Sequence, residues 1–265
     1  MSLVKMLIKL NNQVHIFKVY LYTHIPDRMK PKTILLIIFY TLMVFRVCGQ
    51  QPGREIQINI DTLLNARPVT TLTHGKLVTW IKGIDGDGQG DGYLTMAAAL
   101  FNKDKDPHAL PDHPGIEATP EHPSITLHYK NSAGAGYQAR FVSGEGSFGF
   151  YVPPKRYMGM YLSMTSAEGG SQLQIELTYK DGVAVKDFWL PDYYNDIIAR
   201  DTSLSYVVHD LAKWDNKNSM AEPNHHNIDA LNIYPNPRRV LLHVKVKKGA
   251  AGYLLFWAAT GVPVK

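Results

Sequence analysis

Residues 158–190, MGMYLSMTSAEGGSQLQIELTYKDGVAVKDFWL, contain the pattern that decides the fold. Apolar and polar side chains alternate along residues 173–179, so that Ile175 and Leu177 face a core while the residues between them face water. The dipeptide Asp181-Gly182 follows this run and favours the positive φ angles of a tight primed turn. The segment therefore predicts an antiparallel β-hairpin with one solvated face.

The same period of two recurs along most of the chain after residue 56. Further runs rich in β-branched and aromatic residues, separated by Gly, Pro, Asn and Asp, are typical of short strands. They occupy residues 77–81, 125–129, 148–152, 158–165, 185–190, 241–246 and 253–257. About ten such strands predict an all-β fold, a single antiparallel β-sandwich of the jelly-roll type with little helix.

Two stretches interrupt this alternation. Residues 103–123 contain five prolines, which cannot donate to a strand ladder. Residues 193–227 contain few alternating runs, and residues 210–214 are compatible with a helical turn. Both stretches are rich in Asp, His and aromatic residues, so we expect long ordered loops, which are a common location for binding sites.

The charge of the chain is unevenly distributed. The formal net charge is +5, but residues 1–49 contain seven lysines and arginines against one acid, which leaves −1 for residues 50–265. A nucleic-acid-binding domain would need a basic surface, and the predicted domain lacks that excess. The single cysteine, Cys48, excludes a disulfide framework.

The N-terminal region resembles an export signal. Lys30 and Lys32 precede an uninterrupted apolar run over residues 33–45, and Val47 and Gly49 occupy the small-residue positions of a cleavage site. The run is short for a membrane span. We therefore expect residues 1–49 to comprise an upstream extension, from a start codon assigned too early, plus a signal peptide. Residues 50–265 would form the secreted, periplasmic or cell-surface domain, without a stable membrane span.

A glycine-rich segment at residues 83–92, GIDGDGQGDG, contains three candidate metal ligands. Asp85, Asp87 and Asp91 are separated by glycines, so their oxygens are able to surround one hard cation such as Ca²⁺. The position of the final bidentate glutamate of an EF-hand is occupied by Met96, which excludes a complete EF-hand. The alternative is a plain turn in which the aspartates accept hydrogen bonds from nearby backbone.

Aromatic residues in polar contexts suggest a carbohydrate site in the second long loop. Sugar rings present apolar faces that stack on aromatic rings, while Asp, Lys and His side chains bind the hydroxyl groups. The candidates are Asp192, Tyr193, Tyr194, His209, Asp210, Lys213 and Trp214. The other tryptophans, Trp80, Trp189 and Trp257, lie on predicted strands and are expected in the core.

The sequence leaves catalysis open. Paired carboxylates would support a glycoside hydrolase or a polysaccharide lyase, and no nucleophile elbow or nucleotide-binding loop is present. The acids available for such a pair are Glu168, Asp192, Asp196, Asp210 and Glu222. A third possibility is a structural envelope protein without a small ligand.

Residues 158–190 and the segment GYLLFWAAT at 252–260 resemble the galactose-binding-domain-like jelly rolls attached to secreted polysaccharide-degrading enzymes. That resemblance implies sugar binding at a loop rim or a sheet face, and a structural Ca²⁺ to which Asp85, Asp87 and Asp91 would contribute. The chain is also similar to secreted bacterial proteins that share its GIDGDG, TSAEG and HDLAKWD segments. This second resemblance implies no activity.

Overall fold

The structure, a computed structural model, describes the backbone of residues 4–10 and 13–19 and the residues 54–85, 91–103, 108–129, 136–196 and 201–265. The chain divides into two compact units, Met1–Gly49 and Gln50–Lys265. In the first unit, strand β1 (Val4–Leu10) pairs antiparallel with β2 (Gln13–Val19). The predicted signal peptide at residues 29–49 lies outside the described residues.

One sheet of the second unit has four strands, all antiparallel to their neighbours. Its order is β10-β16-β12-β13. The strands are β10 (Gly146–Lys155), β12 (Ser171–Tyr179), β13 (Gly182–Leu190) and β16 (Leu241–Lys248).

The second sheet has six antiparallel strands. Its order is β14-β15-β11-β17-β3, and β9 also pairs with β17. The strands are β3 (Ile56–Gln57), β9 (Arg140–Ser143), β11 (Tyr157–Ala167), β14 (Leu204–Trp214), β15 (Met220–Asn232) and β17 (Tyr253–Pro263).

The main hydrophobic core lies between these two sheets. Phe148 and Phe150 of β10 stack on Phe256 of β17, with ring centroids 4.9 and 5.5 Å apart. Ile175 and Leu177 are fully buried, as the alternation predicts. The predicted all-β class and the antiparallel sandwich are confirmed, and the chain crosses between the sheets five times from β10 to β17, as in a jelly roll.

Short elements cover the outer face of the six-stranded sheet. Alternate residues of β17 point to opposite faces, so Phe256 packs in the main core while Trp257 packs in a second cluster with Tyr93. The covering elements are a 3-10 helix (Asp61–Leu63), β4 (Val69–Thr73), β5 (Lys76–Val78), β6 (Tyr93–Leu94), α1 (Met96–Phe101), β7 (Gly115–Ile116) and β8 (Ile125–Thr126). No helix among the described residues is long and apolar enough to cross a membrane.

Several local predictions require correction. The predicted loop at 193–227 contains most of β14 and β15, two of the longest strands, and the predicted helical turn at 210–214 belongs to β14. The hairpin turn is formed by Lys180 and Asp181 at negative φ, and only Gly182 adopts a positive φ, of 134°. Trp189 was expected in the core and is 56% exposed on the outer face of the four-stranded sheet.

Candidate functional site

An open polar cavity of about 550 Å³ lies beside the β11–β12 turn and the β14–β15 hairpin. We call it the acidic cavity, because carboxylates dominate its lining. The lining residues are Asp85, Asp91, Glu168, Gly169, Asp192, Tyr193, Tyr194, Lys213 and Glu222. The structure thus brings two of the predicted metal ligands together with four of the predicted ligand-binding residues in a single site.

Lys213 on β14 is the centre of the cavity's polar network. Its ammonium lies 2.9 Å from Asp91 Oδ2 and 3.3 Å from Glu222 Oε1, and it donates a hydrogen bond of 3.0 Å to the Tyr193 hydroxyl. The three contacts match the three donors of an ammonium group. Because the Lys213 side chain is nearly buried, the ion pairs also offset the free-energy cost of removing its charge from water.

Glu222 and His226 face each other on β15. The ring nitrogen Nδ1 of His226 donates to the Leu211 carbonyl at 2.7 Å, because a carbonyl oxygen only accepts. The other nitrogen, Nε2, lies 3.3 Å from Glu222 Oε2. Burial lowers the pKa of His226 to about 4, so the ring is neutral near pH 7, and its buried Nε2 has no hydrogen-bond partner among the described residues.

The two tyrosines differ in exposure. Tyr193 is buried, and its ring packs on the Tyr194 and His226 rings with centroids 5.1 and 4.8 Å away. Burial raises the pKa of the Tyr193 phenol, which therefore stays protonated. Tyr194 is 44% exposed, so it is the aromatic surface that the cavity offers to a ligand.

Asp192 orders the wall of the cavity. Its Oδ2 accepts a hydrogen bond from the Gly169 backbone N–H, and its Oδ1 accepts one of 3.0 Å from the Tyr194 N–H. Burial raises the pKa of Asp192, while the Gly169 hydrogen bond and the Lys213 charge oppose that rise. Each oxygen accepts a backbone hydrogen bond, so Asp192 fixes the position of Tyr194 in the cavity wall.

Three predicted ligand-binding residues lie away from the acidic cavity. Trp214 is fully buried in a cluster with Leu94 and Ala212, and its indole is enclosed by protein. His209 and Asp210 pair with each other at 2.9 Å on a bulged part of β14, and neither lines the cavity. The sequence could not reveal these positions, because bulges shift which side chains face the cavity.

The predicted calcium site is only partly covered by the described residues. Asp85 and Asp91 lie in the cavity wall, Asp87 lies outside the described residues, and Asp91 is bound by the Lys213 ammonium. Within the described ranges, no three His, Cys, Asp or Glu side chains are grouped as metal ligands. Calcium binding at this segment therefore stays a prediction.

No family model and no curated protein matches the chain. The structure is similar to a crystal structure of a carbohydrate-binding module, CBM28, described as specific for non-crystalline cellulose. The two chains share 9% identity with a TM-score of 0.25, and the match covers 53% of this chain and 77% of that one. At this TM-score, the likeness carries no argument about ligand or site.

Proposed function

We propose that the protein is a secreted carbohydrate-binding protein and that sugar binds in the acidic cavity. The observation that carries the proposal is the exposed Tyr194 ring beside carboxylates and an ammonium in one open cavity. The proposal is also supported by the way Tyr194 is held in place. Asp192 accepts a hydrogen bond from the Tyr194 backbone, and Tyr193 packs against the Tyr194 ring.

The chemistry of the lining suits a polyhydroxylated ligand. Carboxylates of Asp91 and Glu222 accept hydrogen bonds from hydroxyl groups, and the Lys213 ammonium holds both carboxylates in place. The exposed face of Tyr194 complements the apolar face of a sugar ring. The predicted signal peptide supports an extracellular setting, in which polysaccharide is the available ligand of this class. A bound Ca²⁺ near Asp85 and Asp91 would be compatible with this proposal.

A pair of tyrosine variants tests the site. Tyr194→Ala should weaken binding at least about tenfold, because stacking on the ring is lost. Tyr151→Ala is the matched control, since Tyr151 is 81% exposed on the outer face of the four-stranded sheet, away from the cavity. A glycan array would identify the ligand, and calorimetric titration with it would compare the three proteins.

Two outcomes would contradict the proposal. Loss of binding in Tyr151→Ala with retention in Tyr194→Ala would place the site on the outer sheet face, where Trp189 is also exposed. A blank array for the wild-type protein, folded by its thermal transition, would favour a structural envelope protein without a small ligand.

A further inference from the structure

We propose that two copies of this chain associate edge to edge through strand β13, so that their four-stranded sheets join into one continuous sheet. The partner of the open edge is a second copy, related to the first by a two-fold axis. The inference is independent of the proposed function, because no residue of β13 lines the acidic cavity.

Strand β13 is a long, regular and open sheet edge. It lies at one end of the order β10-β16-β12-β13, and all of its nine residues pair with β12 in an unbroken register. Within the part of the chain that the structure describes, its backbone forms no backbone hydrogen bond on the side that faces away from β12. Such an edge is a template for an added strand.

The other sheet edges are interrupted, covered or short. Strand β10 contains Pro153 and Pro154 and a shift in its register. Strand β14 is bulged, and on its outer side the Trp214 N–H donates to the Gly92 carbonyl at 2.9 Å. The remaining edge consists of β3 and β9, with two and four residues. Prolines, bulges and covering segments block edge pairing, and the described residues place none of these on β13.

The solvent-facing side chains of β13 are mostly apolar. Val183, Val185 and Trp189 are 55, 51 and 56% exposed, and Asp187 is the one charged residue between them. A half-solvated sheet normally carries polar residues on its outer face. The neighbouring strand β12 follows that rule on the same face, with Gln172, Gln174, Glu176 and Thr178. The apolar residues at the open edge therefore indicate a surface that a second strand covers.

The charges of β13 select one register for this pairing. Because opposed residues must lie on the same face of the sheet, a single residue lies on the two-fold axis. Three registers pair at least seven of the nine residues, with Val185, Lys186 or Asp187 on the axis. Lys186 or Asp187 on the axis would face its own copy, and like charges directly opposite each other are destabilising. With Val185 on the axis, two valines meet and Asp187 lies opposite Val183 of the second copy.

Lys186 is compatible with this register. Its side chain lies on the opposite face of β13 from Val185, and its ammonium donates to the carbonyls of Ile233, at 3.2 Å, and Tyr234. In the selected register, Lys186 lies opposite Ala184 of the second copy. The ammonium is therefore bound within its own copy, and no like charges face each other across the joined edge.

A matched pair of lysine variants tests the register. Val185→Lys places two ammonium groups opposite each other on the axis and removes the valine contact, so the dissociation constant of the dimer should rise at least about tenfold. Val183→Lys is the control, on the same face of the same strand and with nearly the same exposure. Its ammonium lies opposite Asp187 of the second copy, so the dissociation constant should stay within about threefold of the wild-type value.

Two measurements report the association. The full chain is expressed in a secreting bacterial host, and sedimentation equilibrium gives the dissociation constant of each purified protein. Hydrogen exchange should slow at the amides of β13 as the protein concentration rises, because these groups gain partners in the second copy. Equal thermal transitions at low concentration confirm that both variants are folded.

Three results would overturn the inference. One is a wild-type protein that stays monomeric at about 1 mM. Another is a dimer in which the exchange of the β13 amides does not depend on concentration, since its interface would lie elsewhere. The third is an equal rise in the dissociation constant for both lysine variants, because residue 183 would then not face Asp187. Each of these results leaves the proposal of sugar binding in the acidic cavity unaffected.

Discussion

Three buried ionisable residues are accommodated in three different ways. Lys213 is surrounded by carboxylates, whereas Lys248 donates to the carbonyls of Gly144, Gly249 and Ala251 at 3.0, 2.9 and 2.8 Å. Asp229 on β15 is also buried, and its Oδ1 has no hydrogen-bond partner among the described residues. Burial raises its pKa to about 8, so Asp229 is mostly protonated near neutral pH.

Asp229 should make the protein less stable as pH rises. An unfolded chain releases this proton near pH 3.8, but the folded protein holds it to about pH 8, so the free energy of unfolding falls across that window. Asp229→Asn removes the effect. Its free energy of unfolding should exceed the wild-type value by an amount that grows with pH, reaching on the order of 5 kcal/mol at pH 8.

Urea unfolding of both proteins at several pH values between 4 and 9 measures this difference. The contribution of His226 runs in the opposite direction and cancels in the comparison, because both proteins contain it. A difference that stays constant with pH would show that Asp229 is ionised in the folded protein.

At the scale of elements, the bulged hairpin of β14 and β15 explains how the acidic cavity is built. The pairing shifts register four times between Tyr206 and Trp214, and Asp210 adopts a positive φ of 56°. These irregularities place Lys213 in the cavity next to the buried Trp214. Without these bulges, β14 would pair with β15 in a different register, and the Lys213 side chain would lie elsewhere.

Substitution at Asp210 should test the strain of this bulge. Asp210→Gly should be neutral or slightly stabilising, whereas Asp210→Val should cost about 1–2 kcal/mol, because a β-branched side chain disfavours the left-handed region. Both substitutions also remove the ion pair with His209, but this pair is nearly half exposed and contributes little to stability. Asp187, exposed on the regular strand β13, is the control site.

The same two substitutions at Asp187 should have the reverse order, with valine the better residue in a regular strand. Guanidinium unfolding compares all four variants. Equal effects of glycine and valine at Asp210 would mean that the left-handed conformation of residue 210 is not maintained.

The two hairpins show what the sequence could and could not predict. Strands β12 and β13 were predictable, because strict alternation reports burial directly at Ile175 and Leu177. Strands β14 and β15 were missed, because their bulges, Pro223 and the positive φ of His225 break the period of two. The register of a bulged strand depends on partners far away in the chain.

Prediction of the site was limited by the same effect. Asp91, Tyr193 and Lys213 were selected individually from their residue types and loop contexts. That Asp91 and Lys213 share one cavity follows from a contact across more than a hundred residues, which no local pattern encodes. Glu222, which lines the cavity, was only one acid among several, and His226, whose ring packs on Tyr193, was missed.

At the scale of the whole molecule, the sandwich cannot be divided along the sequence. The chain runs from β10 of one sheet to β11 of the other and back to β12, and it later runs from β15 to β16 and back to β17 in the same way. Most stabilising contacts are therefore non-local, and such topologies fold slowly.

The predicted signal peptide leads to a prediction about processing. The sequence predicts cleavage between Gly49 and Gln50. In a secreting bacterial host, the exported chain should begin at Gln50, and its formal charge should be −1 instead of +5. Intact mass and isoelectric focusing measure both.

Leu36→Arg should block this processing, because a charge in the apolar run prevents recognition as a signal. Thr62→Arg, in the exposed 3-10 helix of the second unit, is the control for an added charge. Recovery of an uncleaved chain from the culture medium would contradict the assignment of a signal peptide.

The pairing of β3 with β17 has a consequence for protein engineering. Ile56 lies opposite Gly261, so the start and finish of the sandwich are neighbours on one sheet. A short linker would join them, and the chain could be reopened at the Lys180–Asp181 turn to give a circular permutant. The closeness of β3 and β17 would also suit insertion of this unit as a cassette within a host protein.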